Sequence, residues 1–143
     1  MKTNCSNSIL ARAAIAAIAA LAFASSAYAA QTYDDANATN AWNTTATNWG
    51  GVIWANTTSS DAIFGGTGES VAVTTVIARD ITFNSTGYTL TGSTITLGAT
   101  SNITVTNLAD TATISSILAG AGTSLTKSGA GKLTLSGANS FSG

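Results

Sequence analysis

From Ile81 onward, apolar and hydroxyl-bearing residues alternate in short runs: Ile81-Thr82-Phe83, Tyr88-Thr89-Leu90, Ile95-Thr96-Leu97, Ile103-Thr104-Val105, Leu125-Thr126-Lys127 and Leu133-Thr134-Leu135. Alternation with period two sets the outer two side chains of each run on one face of a β-strand and the middle threonine on the other. Between the runs lie Asn84-Ser85-Thr86-Gly87, Thr91-Gly92-Ser93 and Gly98-Ala99-Thr100-Ser101, residues that turn a chain. After Ala29 no apolar spacing suits a helix, and the many glycines and β-branched residues weigh against one.

Each predicted strand is apolar on one face only and needs a cover. An antiparallel β-sandwich would supply one; so would a parallel β-solenoid with three strands to a coil. The intervals favour the solenoid, because Ile81, Ile103 and Leu125 recur at an equal spacing of twenty-two, and Ile95 and Ile117 share it. With strands about 4.8 Å apart, the segment from Asp61 onward makes roughly four coils and a rod of about 20 Å. The same interval carries Phe83 to Val105 and then to Lys127, a residue unsuited to a narrow apolar core, so either the inward strand ends at Leu125 or the coils differ in length. A coil of this kind cannot bury its apolar face alone. The chain is therefore expected to continue beyond Gly143 into further repeats or an anchoring domain.

Positions 1–29 read differently. Lys2 and Arg12 precede an apolar run from Ala13 to Ala24, and Ser25-Ser26-Ala27-Tyr28-Ala29 supplies small residues at a cleavage site. This is the pattern of a secretory signal peptide cut between Ala29 and Ala30. The run falls short of the roughly 20 residues that a membrane-spanning helix requires, so the mature chain is not expected to span a membrane. Three parts follow: the signal peptide at 1–29, a Trp/Asn/Thr-rich cap region at 30–60, and the solenoid at 61–143. Cleavage removes Cys5, the only cysteine, and leaves three cations (Arg79, Lys127, Lys132) against six acids. Without disulfides, the exported chain depends on backbone pairing and packing. Charged residues are only 8% of the sequence, against about 25% in a typical domain, and no basic patch exists to gather phosphates, which excludes nucleic acid as a partner.

The C-terminal stretch 120–143 resembles the autotransporter-associated β-strand repeat. The pattern is Leu125-Thr126-Lys127, followed by Gly129, Gly131, Leu133, Leu135, Gly137, Asn139, Phe141 and Gly143 at alternating positions. Trp42, Trp49, Trp54 and Asp61-Ala62-Ile63-Phe64-Gly65-Gly66 resemble the region that precedes such repeats in large exported bacterial proteins. The resemblance implies a right-handed parallel β-helix in the passenger of an exported or outer-surface protein, commonly a stalk or adhesin, with surface glycans or neighbouring cells as partners. It implies no catalytic residue and no cofactor.

Several motifs invite chemistry. Gly129-Ala130-Gly131-Lys132 lacks the spacing of a phosphate loop, since Thr126 stands where the first glycine belongs and Leu133 where Ser or Thr would bind magnesium. Gly65-Gly66-Thr67-Gly68-Glu69-Ser70 echoes a calcium-binding β-roll turn in a single copy, with Ser70 where an aspartate is needed. With no histidine in the chain, zinc lacks its commonest nitrogen ligand and a serine nucleophile lacks its base, so no metal site is expected. Arg79-Asp80 offers the one adjacent cation and acid at a strand start, which a polysaccharide-cleaving β-helix could use. Trp42, Trp49 and Trp54 suit either of two roles: a cap over the open end of the first coil, or exposed rings that stack on sugars in a carbohydrate-binding module. The leading expectation is a non-catalytic, exported, adhesive stalk at the cell surface.

Overall fold

The computed structural model describes residues 30–143. The expected signal peptide lies outside the described residues. The described chain is all-β and contains no helix. Its strands are β1 (Ala30–Tyr33), β2 (Ala41–Trp42), β3 (Asp61–Phe64), β4 (Ser70–Val73), β5 (Val76–Ala78), β6 (Ile81–Phe83), β7 (Tyr88–Gly92), β8 (Thr94–Leu97), β9 (Thr100–Val105), β10 (Thr111–Ile114), β11 (Ile117–Ala119), β12 (Ser124–Ser128) and β13 (Lys132–Leu135). They form three sheets, in the orders β1-β3-β6-β9-β12, β2-β4-β7-β10-β13 and β5-β8-β11. Every ladder between these strands is parallel. The fold is a β-solenoid, and the antiparallel sandwich is thereby excluded. Three complete three-strand coils are flanked by a two-strand coil at each end.

The interior is the set of inward positions that period-two alternation predicts. Ala62, Phe64, Val71, Val76, Ile81, Phe83, Leu90, Ile95, Ile103, Val105, Ile114 and Leu118 are all buried in one contiguous core. Each of these side chains larger than Ala62 contributes roughly 1.5–3 kcal/mol relative to exposure. Outward, the threonines align in rows: Ser70, Thr89, Thr113 and Thr134 are successive partners on one sheet, and Thr82, Thr104 and Ser128 on another.

The coil length averages close to the expected interval but is not constant. Ile81 pairs with Ile103, the partner that the spacing of twenty-two predicts. The preceding coil is shorter and pairs Ala62 with Ile81, a step of nineteen, whereas the following one is longer and pairs Ile103 with Lys127, a step of twenty-four. Leu125 therefore stands over Ser101, and Lys127 occupies the place above Ile103. On the third sheet Leu118, not Ile117, covers Ile95. The cause is a longer corner between β9 and β10, where 106–110 bulges outward and leaves Leu108 82% exposed. The Lys127 side chain is exposed, and its Nζ donates to the carbonyls of Ser128 and Gly129 at 3.4 and 3.0 Å.

The register separates two leucine-sized side chains that equal spacing would treat alike. Ile103→Ala, in the closed interior, is expected to cost about 2–5 kcal/mol, and Leu125→Ala, half-buried on the last coil, well under half of that. Urea denaturation of the two variants measures the difference.

Candidate functional site

The first coil is closed by aromatic rings. Trp42 lies on β2, and Trp49 and Trp54 flank the turn Gly50-Gly51, whose two residues have φ of +67° and +76°. All three tryptophans are buried. Their rings pack on one another, with centroids 4.5 Å apart for Trp49–Trp54, 5.2 Å for Trp42–Trp54 and 5.3 Å for Trp42–Trp49, and Trp42 and Trp49 meet Phe64 of the next coil. The stack continues upward from Phe64 to Phe83 at 5.2 Å. The three buried rings pack over the end of the apolar column. The exposed apolar side chains at this end are Val52 and Ile53 on the turn itself.

Beside the lid, Tyr33, Asp35, Gly65, Glu69 and Tyr88 line a cleft of about 520 Å³. Asp35 Oδ1 accepts the backbone N–H groups of Thr39 and Asn40 at 3.0 and 2.8 Å and holds the loop after β1 in shape. Asn40 donates its side-chain N–H to Glu69 at 2.6 Å, which ties that loop to the start of β4. The Tyr88 hydroxyl donates to the Gly65 carbonyl. Burial, with the neighbouring Asp35 carboxylate, raises the Glu69 pKa, while a hydrogen bond from Tyr33 pulls the other way. Burial followed by the charges of Glu69 and Asp35 raises both Tyr33 and Tyr88. The single-copy β-roll turn at 65–70 thus serves as a corner of this cleft. Among the described residues no group of three His, Cys, Asp or Glu could hold a metal ion.

Arg79 and Asp80 fall on the corner between β5 and β6, at a groove that Thr100, Asn102 and Thr126 also line. Arg79 pairs bidentately with Asp61 and reaches Asp80 at 3.2 Å. Asp80 Oδ1 in turn accepts the backbone N–H of Asn102, one coil on, at 2.8 Å. The two carboxylates are engaged in fastening one coil to the next.

The last coil is addressed to the coil beneath it. Gly129 has φ of +76°, and a Cβ there would run into the Val105 carbonyl; a Cβ at Gly137 would strike the Ser116 carbonyl. Asn139 accepts the backbone N–H of Leu118 at 2.9 Å, and Ser115 and Ser136 share a hydroxyl bond at 2.9 Å. Gly129, Gly137 and Asn139 belong to the pattern legible in the sequence, but their common target, the main chain of the preceding coil, is not legible there. Residues 125–143 match the family model of the passenger-associated-transport-repeat. The chain carries an autotransporter-associated repeat. It is also 44% identical to the adhesin BmaC autotransporter of Brucella suis biovar 1 (strain 1330), over an alignment of 113 positions that takes in 72% of this chain. The match spans 3% of that protein's length. No solved structure matches the chain. In the repeat, then, glycine marks the points where backbone meets backbone, and the leucines at 125 and 133 and Phe141 pack partly against the shared core.

Two outcomes test this geometry. Gly137→Ala forces overpacking against Ser116 and is expected to cost about 1–3 kcal/mol, while Gly65→Ala, which meets nothing within 4 Å, is tolerated; thermal denaturation compares them. At Glu69 the folded chain holds the proton more tightly than the unfolded one, so stability climbs as pH falls from neutral toward the ordinary glutamate range near about 4.3 and declines as pH rises again. Glu69→Gln should flatten that part of the melting-temperature profile.

Proposed function

We propose that this chain is the capped N-terminal part of a non-catalytic, adhesive β-solenoid stalk that is exported and displayed at the outer cell surface. The observation that carries the reading is the repeat at 125–143, built as a coil onto the same core that the aromatic lid closes, in a chain similar to an autotransporter adhesin. The signal peptide at 1–29 directs export and is removed between Ala29 and Ala30. The residue inventory supports a non-catalytic role: no histidine exists to activate a nucleophile, and Arg79, Asp61 and Asp80 are occupied with one another. Adhesion then rests on area and repetition. The Ser/Thr rows offer many weak hydrogen-bonding positions to surface glycans or neighbouring cells, held stiffly by the ladders behind them.

The full chain produced in a Gram-negative host is expected to appear outside the cytoplasm with Ala30 as its first residue, which N-terminal sequencing reads. Residues 30–143 displayed on a non-adherent strain should raise its attachment to glycan-coated surfaces. The double variant Thr89→Lys/Thr113→Glu, altered only on the outward row with opposite charges on paired positions, should lose most of that attachment at unchanged melting temperature. Display without any gain in attachment would overturn the adhesive reading.

A further inference from the structure

The third sheet is the shortest, and neither of its edges is left bare. At its lower edge the central residue of β5, Ile77, donates its backbone N–H to Asn56 Oδ1 at 2.6 Å and accepts from Trp54 Nε1 at 2.9 Å. At its upper edge the central residue of β11, Leu118, donates its N–H to Asn139 Oδ1 at 2.9 Å and accepts the backbone N–H of Ser140 at 2.9 Å. In both cases the asparagine lies one coil away from the strand residue it holds, at the same separation of 21 along the chain. Both flanking coils are the two-strand coils, in which the main chain forms no third strand. An edge strand otherwise presents unpaired N–H and C=O groups that invite another chain.

We propose that the repeat's asparagine is a strand surrogate: Asn139 takes the place of a third strand, holding the coil beneath at Leu118 as Asn56 holds the opposite edge at Ile77. Only the side-chain oxygen of Asn139 is engaged at Leu118, and a carboxylate offers the same acceptor. The positioning role therefore predicts rescue by aspartate, which a demand for the amide's shape or donor would not.

Site-resolved amide hydrogen exchange on the full chain tests this. In Asn139→Ala the Leu118 amide should exchange roughly three- to tenfold faster, the change that loss of one net hydrogen bond implies. The Thr113 and Ile114 amides on the neighbouring sheet serve as internal reference and should hold their rates. Asn139→Asp should keep Leu118 protected, and Asn56→Ala should accelerate Ile77 in the same way. An unchanged Leu118 rate in Asn139→Ala, or equal loss of protection in the alanine and aspartate variants, would overturn the proposal. Should the alanine variant open the whole last coil and release Thr113 as well, the aspartate variant decides, with retained protection supporting the surrogate and lost protection refuting it.

Discussion

Parallel backbone pairing along one axis is the constraint on which everything else rests. A strand in such a stack is satisfied only when it has a neighbour above and below, and its inward side chains are covered only by those neighbours. The middle coils meet this condition through their own repetition. Ile81 covers Ala62, Ile103 covers Ile81, and the core is continuous through them. The difficulty is concentrated in the first and last described coils, which form two strands instead of three. There the sequence departs from its apolar-Thr-apolar monotony into tryptophan, asparagine and glycine.

The departures are chemically distinct because the two shortages are distinct. An uncovered apolar column needs area, and Trp42, Trp49 and Trp54 supply more of it per residue than any aliphatic side chain. An uncovered main chain needs acceptors and donors at fixed spacing, and carboxamides supply both. Gln31 illustrates the point at the first coil: its Nε2 donates to the Ile53 carbonyl at 2.9 Å while its Oε1 accepts the Ala55 N–H at 2.8 Å. Asn48 does the same work deeper inside, fully buried and bonded to Asn37, Thr39 and Ala41. The Trp/Asn/Thr-rich region at 30–60 is stitched together by its own amides.

The all-β class, the parallel solenoid and the pairing of Ile81 with Ile103 were legible in the sequence, because period-two alternation and a repeating interval are direct consequences of strand geometry. The register of the last coil was not. Equal spacing put Leu125 over Ile103, whereas a lengthened surface corner moved Lys127 there, and corner length leaves no trace in the alternation of the strands. The tryptophans were recognisable as special, but a buried ring and a sugar-stacking ring look alike in sequence; burial is decided by the loop 43–55 folding back over the column. The cleft formed by Asp35, Glu69, Tyr33 and Tyr88 could not be read either, since its members lie far apart in the chain and meet only where the corners that follow β1, β3 and β6 stack in successive coils.

The corner at 106–110 carries a wider meaning. It gains length and thrusts Leu108 into solvent, yet the ladders on either side of it remain intact and parallel. Backbone pairing thus governs only the flat walls of the rod, and the vertices are free to lengthen. Axial regularity and surface variety are written in separate parts of the chain, so a molecule of this design can diversify what it displays without renegotiating how it stands.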